Sequence, residues 1–144
     1  MGTASQPAPL VGVLETAVYV DDLHAAEAFY AGVLGLPVIL RRDGRHIFFR
    51  CGSTIVLAFL PELTRAQVAE GPMPIPPHGA DGASHICFSV TGDEMERWIE
   101  KLDAAGIEIE ADFHWENGAR SVYVRDPSGN SIELAQSWLW EVGR

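Results

Sequence analysis

The chain has 144 residues, of which 47% are hydrophobic and 21% are charged, so it is long enough for one soluble globular domain with a sizeable core. Its net charge of −10 and pI of about 4.8 argue against nucleic acid and anionic membranes as partners, because both repel an acidic surface. The chain contains no long apolar run and no signal-peptide pattern, so we expect a cytoplasmic protein with no membrane partner.

The first half of the chain predicts a strand, a helix and three more strands. The predicted strands, identified by alternating apolar and polar residues, are residues 14–20, 37–40, 46–50 and 54–59. Asp21 or Asp22 begins the helix, whose apolar residues repeat at helical spacing until Gly35 ends it. Residues 13–60 therefore form a first βαβββ module.

The same order of elements recurs in the second half, which makes the chain an internal repeat. The predicted strands of the second copy are residues 84–90, 107–109, 121–125 and 131–135. A helix with an apolar stripe follows the first of these strands and ends at Gly106, and a Pro-led turn over residues 126–130 precedes the last strand. Residues 84–137 therefore form a second βαβββ module.

The rest of the chain joins or follows the two modules. Residues 61–83 form a linker that begins with one short helix and continues as a Pro- and Gly-rich loop. Residues 138–144 form a C-terminal tail, and residues 13–144 together make one structural domain of the α+β class. Cys51 and Cys87, each in an apolar run, are expected to be small buried side chains rather than a disulfide.

Two stretches of the sequence carry a family resemblance. LETAVYVDDLHAAEAFYAGVLGL in the first module and VYVRDPSGNSIEL in the second resemble proteins of the vicinal oxygen chelate superfamily, the glyoxalase, bleomycin-resistance and dioxygenase group. The resemblance covers about residues 13–137. It implies that each module curls into half of an open, cup-shaped mixed sheet and that two modules complete the cup. The halves can come from one chain or from two, and the sequence leaves both arrangements open.

The resemblance also implies one divalent metal ion, held by the first strand of each module and by the last strand of one or both. The corresponding positions of this chain are Glu15, His85, Val56 and Glu133. Val56 cannot bind a metal, so the implied ligands are Glu15, His85 and Glu133. Two carboxylates and one imidazole make a three-ligand site with open positions, which favours Mn²⁺, Fe²⁺, Co²⁺ or Ni²⁺ over Zn²⁺.

Two further side chains are candidates for catalysis. The resemblance to extradiol dioxygenases and fosfomycin-resistance enzymes implies that Tyr123 donates a hydrogen bond to the substrate's metal-bound oxygen. The repeat aligns His46 with Ser121, so His46 is expected to face the cup, where a neutral imidazole can act as a general base near pH 7. The alternatives are a packing role for Tyr123 and a supporting or surface role for His46.

The sequence departs from the pattern of three activities known in the superfamily. Glyoxalase I uses the position of Val56 for a metal ligand and proton shuttle, so a valine there argues against lactoylglutathione lyase activity. Extradiol dioxygenases have a histidine at the position of Glu15. They also have a histidine that acts as a base on the last strand of the first module, and residues 53–59, which form that strand here, contain no histidine. Fosfomycin-resistance enzymes also begin with a histidine ligand, and they need cationic groups to bind a phosphonate.

Two functions therefore remain open. The first is a metal-dependent enzyme, a lyase, isomerase or dioxygenase-like protein, that acts on a small oxygen-chelating substrate by metal polarisation of its oxygens. The alternative is a bleomycin-resistance-like protein that sequesters a cationic small molecule without catalysis, which the acidic charge fits. In either case we expect a homodimer, because a single cup exposes sheet edges and the apolar segment 138–140.

Overall fold

The computed structural model describes residues 8–141, and residues 142–144 of the predicted tail lie outside the described part. The strands are β1 (Glu15–Tyr19), β2 (Val38–Arg42), β3 (His46–Cys51), β4 (Thr54–Phe59), β5 (His85–Val90), β6 (Ala111–His114), β7 (Arg120–Arg125) and β8 (Ser131–Gln136). The α-helices are α1 (Leu23–Glu27), α2 (Pro61–Ala66) and α3 (Met95–Ala104). Within residues 8–141, no helix is long and apolar enough to cross a bilayer.

The strands form two sheets with the same topology, ordered β1-β4-β3-β2 and β5-β8-β7-β6. In each sheet the first strand of the module lies parallel to the last strand, and the other neighbours are antiparallel. The structure therefore confirms the prediction of two tandem βαβββ modules in an α+β fold. We refer to strands β1–β4 as the first sheet and to β5–β8 as the second sheet.

Both sheets bury one face in a single hydrophobic core. Val56 and Phe49 of the first sheet and Ile132 and Val122 of the second are at most 2% exposed, and all four belong to the same packed cluster. Because side chains alternate along a strand, the residues between them lie on the opposite face, which we call the outer face of each sheet. The site residues discussed below lie on these outer faces.

The first helix departs from the predicted regular α-helix. Asp22 caps its start by accepting a hydrogen bond from the Ala25 amide at 3.0 Å, but from Ala28 to Val33 the turns widen to a π-helix. The Leu34 amide accordingly donates to the carbonyl of Phe29, five residues earlier, at 2.9 Å. The widened turns bury Phe29 together with Tyr30 against the sheets.

The second strand of the second module lies later in the chain than predicted. The prediction was residues 107–109, whereas β6 spans Ala111–His114 and pairs Ala111 with Tyr123. Ile107 instead closes the end of α3, since its amide donates to the carbonyl of Leu102 at 2.9 Å. Its apolar side chain packs against the core from outside the sheet, which explains why the local pattern resembled a strand.

The turn between β7 and β8 ties the two modules together. The Tyr30 hydroxyl donates to a buried oxygen of the Asp126 carboxylate at 2.7 Å. The Asn130 side-chain amide donates to the Tyr19 carbonyl at 3.0 Å, and its oxygen accepts from the Ser84 amide at 3.0 Å. The turn DPSGN, residues 126–130, therefore holds the two modules together and is not part of the candidate site.

Candidate metal and substrate site

His85 and Glu133 meet on the outer face of the second sheet. The Nε2 atom of His85 lies 3.2 Å from Oε1 of Glu133, and its Nδ1 atom lies 3.1 Å from the Ser131 carbonyl oxygen. A carbonyl can only accept, so this bond places a proton on Nδ1 and leaves Nε2, an acceptor unless it too is protonated, facing the carboxylate. Two acceptors at this distance need a cation between or beside them, and that cation is either a second proton on the imidazole or a metal ion.

The Glu133 carboxylate is almost fully buried and is held by its neighbours. Its side chain is 6% exposed, and its Oε2 atom accepts a hydrogen bond from the Ser121 hydroxyl at 2.6 Å. Ser121 in turn accepts from the Trp115 indole nitrogen at 2.8 Å. These bonds direct the other oxygen, Oε1, towards His85. Such fixed orientation of a carboxylate and an imidazole is typical of metal ligands.

Tyr123 lies beside this pair, directly opposite Glu133 in the strand register. Its ring stacks on His85 with centroids 6.0 Å apart and on Phe113 at 5.8 Å. Removal from water, together with the nearby Glu133 carboxylate, raises the pKa of Tyr123 to about 12. The phenol therefore keeps its proton at neutral pH and can donate it to an acceptor.

Cys87 is a site residue that the sequence reasoning missed. We expected a buried thiol, but alternation along β5 sends Ile86 and Phe88 to the core and leaves Cys87 exposed on the outer face, two residues after His85. Partial removal from water and the Glu133 carboxylate raise the pKa of the thiol to about 12. The alternation along the strand that predicts an outward-facing His85 also predicts an outward-facing Cys87, two residues later.

Glu15 occupies the position in the first sheet that His85 occupies in the second. Glu15 begins β1 opposite Ile55, as His85 begins β5 opposite Ser131. Within residues 8–141, however, no three His, Cys, Asp or Glu side chains come close enough to hold a metal ion. One chain therefore brings together two of the three predicted ligands, and Glu15 remains apart from them.

The position equivalent to Glu133 in the first sheet is Leu57, so the alignment of Val56 with Glu133 was wrong by one residue. Phe48 pairs with Leu57 as Tyr123 pairs with Glu133. Val56 is 2% exposed and points into the core. A slip of one residue along a strand moves a side chain to the other face. The absence of a fourth ligand stands, because leucine binds metal no better than valine.

His46 lies on the outer face of the first sheet within an aromatic cluster rather than beside His85. Its ring stacks on Phe48 with centroids 4.3 Å apart and meets Phe59 edge-on at 5.7 Å. Burial is the main cause that lowers the pKa of His46, and the positive charges of Arg45 and Arg42 lower it further. The imidazole is therefore neutral at pH 7, although its role as a general base stays a prediction.

The arginines of the second sheet are engaged by carboxylates. Arg120 donates to both oxygens of Asp112, at 2.8 and 2.7 Å, and also to Glu96, while Arg125 donates to both oxygens of Glu110, at 2.6 and 3.0 Å. These pairs leave neither guanidinium free to bind an anionic substrate group without first breaking an ion pair.

Comparison with known proteins relates this chain to a family. The family model described as the glyoxalase/bleomycin resistance protein/dioxygenase superfamily matches residues 12–134. The crystal structure named lactoylglutathione lyase from Agrobacterium tumefaciens is 42% identical, with 92% of this chain and 98% of that chain covered and a TM-score of 0.86.

Two further relatives are more distant. Virulence protein STM3117 of Salmonella typhimurium is 27% identical, over 81% of this chain and 78% of its own length. Metallothiol transferase FosB of Bacillus licheniformis is 22% identical, over 87% of this chain and 75% of its own length. The similarity therefore extends across both modules and is not confined to one motif.

Proposed function

Because the chain belongs to the glyoxalase/bleomycin resistance protein/dioxygenase superfamily, we propose that it is a metal-dependent enzyme acting on a small substrate with neighbouring oxygen atoms. His85 and Glu133 of one chain and Glu15 of a second chain would hold one divalent ion. When bound, the metal would polarise the oxygens of the substrate and acidify a neighbouring C–H bond. The oxygen-rich ligand set favours Mn²⁺, Fe²⁺, Co²⁺ or Ni²⁺.

The observation that carries this proposal is the orientation of His85 and Glu133. Each has one atom fixed by a neighbour, through the Ser131 carbonyl and the Ser121 hydroxyl, and the remaining atoms face each other at 3.2 Å. A mere ion pair does not require both partners to be held in this way. The fit to a metal ion is therefore better than the fit to an isolated surface salt bridge, whose contribution to stability is about 0–1 kcal/mol.

The proposed homodimer follows from the separation of Glu15 from the other two ligands. Both sheets bury one face in a shared core, so their outer faces with Glu15 and with His85 are left for another molecule. A twofold-related copy can set the outer face of its first sheet against the outer face of the second sheet of this chain. Such an interface is self-complementary and creates two equal sites.

Tyr123 is proposed to bind the substrate rather than the metal. Its ring lies against His85, and its raised pKa keeps the proton on the hydroxyl beside the proposed metal ligands. A phenol in this position can donate a hydrogen bond to negative charge that develops on a substrate oxygen. Ser121 and Trp115 orient Glu133 and take no direct part in this role.

The name of the Agrobacterium protein makes S-lactoylglutathione one compound to test. Leu57 argues against this reaction, since the fourth position offers neither a ligand nor a proton shuttle. We therefore propose smaller 2-hydroxy ketones, enediol precursors or catechols as substrates. In the alternative function, the same fold sequesters a small molecule without metal or catalysis.

Elemental analysis of the purified chain, loaded with Mn²⁺ or Ni²⁺ and dialysed, tests this proposal. We expect about one ion per chain, lost in His85→Ala and in Glu133→Ala, because two remaining ligands hold an ion poorly against water. His24→Ala is the matched control, since His24 is an exposed residue of α1 and is not part of the proposed site. A wild-type protein that binds no Mn²⁺, Fe²⁺ or Ni²⁺ and shows no thermal shift with them would favour the sequestering function.

A further inference from the structure

The outer face of the first sheet carries a continuous cluster of five aromatic rings, which we call the aromatic wall. Its members are Tyr19, His46, Phe48, Phe59 and His78, and each is half-buried. Phe59 meets Phe48 edge-on at 5.5 Å and His78 at 5.1 Å. The Tyr19 hydroxyl lies 2.6 Å from Nδ1 of His78, which fixes the linker against the sheet. The wall is therefore a built surface in which one polar ring, His46, forms no hydrogen bond with the described residues 8–141.

The two nitrogens of His46 differ in their surroundings. Among residues 8–141, its Nδ1 is the one buried side-chain nitrogen or oxygen without a hydrogen-bond partner. A buried N–H without an acceptor is rarer than an acceptor without a donor, so the proton of the neutral ring belongs on Nε2. Within residues 8–141, Nε2 forms no hydrogen bond and is not among the buried unpaired atoms, so it is accessible and its N–H is an unused donor on the outer face.

The charge around His46 favours an anionic partner for this donor. Arg42 lies directly opposite His46 across the β2–β3 pair, and Arg45 precedes it in the chain. Arg45 donates to the neutral amide of Gln67 at 3.0 Å, so this bond does not cancel its charge. Burial is the main cause that lowers the pKa of His46, and the positive charges of Arg45 and Arg42 lower it further, in keeping with a positive potential at the wall.

From this arrangement we propose that the aromatic wall binds a planar aromatic ring bearing a carboxylate or phenolate, with the ring against Phe48 and Phe59 and the anionic oxygen accepting from Nε2 of His46. The inference rests on the proposed function, because it names the substrate class of that enzyme as small aromatic acids. It also replaces the predicted general-base role of His46, since a nitrogen that carries a proton cannot accept another. Cationic ligands are disfavoured despite the net charge of −10.

Ligand titrations followed by NMR test the wall on chelator-treated full-length protein, so that no carboxylate binds through a metal. The probes are benzoate, cyclohexanecarboxylate, which lacks the aromatic ring, and phenyltrimethylammonium, which reverses the charge. We expect benzoate to bind about tenfold more tightly than either, and His46→Phe to weaken benzoate about tenfold, the size expected for a hydrogen bond to a charged group. His24→Phe, at an exposed histidine of α1, should leave benzoate binding unchanged.

Equal binding of the three probes, or equal benzoate binding by His46→Phe and the wild type, would overturn the inference. A second readout needs no variant: the imidazole ¹⁵N shifts of His46 should report the Nε2–H form, and an Nδ1–H form contradicts the proposal. The metal content of the same protein before chelator treatment keeps the two proposals apart. Metal binding without benzoate selectivity refutes the aromatic wall alone, whereas benzoate selectivity without metal refutes the metal-dependent enzyme alone.

Discussion

The two sheets share one topology, but their outer faces have diverged into different chemistry. In the second sheet the face holds His85, Glu133 and Tyr123, with Ser121 orienting the carboxylate. At the equivalent positions, read from the strand registers, the first sheet has Glu15, Leu57, Phe48 and His46. One carboxylate remains there among apolar and aromatic side chains.

This contrast shows which parts of a duplicated module must stay alike. The core-facing residues of the two sheets remain interchangeable in kind, as with Val56 and Ile132, because both must fill the same core. The outer faces are free of that constraint, so one can specialise in holding a metal and the other in shaping the space opposite it. In the proposed homodimer, one face set against the other would bring the two halves of the proposed site together.

The sharpest test of the two-face comparison is to place a glutamate on each face of β4. Val56→Glu buries a carboxylate in the apolar core and should lower the free energy of unfolding by about 4 kcal/mol or more. Leu57→Glu puts the same side chain on the half-buried outer face, where it should be tolerated and should tighten Mn²⁺ binding as a fourth ligand. Urea denaturation and metal titration measure both effects, and equal stability of the two variants would contradict the assigned register.

A second prediction tests the catalytic half of the comparison. With a substrate in hand, Tyr123→Phe should keep the metal but lower turnover about ten- to a thousandfold, since it removes one donor to a charged oxygen. The matched change at the equivalent position, Phe48→Tyr, adds a hydroxyl to the other face and should not raise turnover. Steady-state kinetics at matched metal content distinguish the two variants. Unchanged turnover in Tyr123→Phe would mean that the hydroxyl does not contact the substrate and that the ring only fills space.

A third and smaller effect concerns the junction that holds the modules together. Tyr30→Phe removes the hydroxyl that bonds to the buried Asp126 carboxylate and should cost about 1.5–3 kcal/mol of stability. The amides of Ser128 and Asn130 still bond to Asp126, so the fold should survive. Chemical denaturation should show one shifted transition for both modules. Two separate transitions would mean that the modules do not unfold as a unit.

The sequence predicted the order of elements because alternation and helical spacing are local properties of strands and helices. It could not predict the register between strands, since counting residues across a turn does not say which residues pair. The hairpin after β3 pairs Cys51 with Thr54, whereas five residues separate β7 from β8, and this difference produced the one-residue error at Val56. The separation of Glu15 from His85 depends on how modules pack, which no local pattern carries.

The most direct test of the shared site is the metal content of a mixed dimer. Glu15→Ala and His85→Ala chains, each with its own affinity tag, are co-purified as a heterodimer. If each site takes Glu15 from one chain and His85 with Glu133 from the other, the heterodimer has one intact site and one doubly broken site. We expect about one ion per heterodimer with wild-type affinity, although the His85→Ala homodimer stays empty and the Glu15→Ala homodimer binds weakly. A heterodimer that holds no ion at wild-type affinity would contradict the account, because sites contained within single chains would then all be damaged.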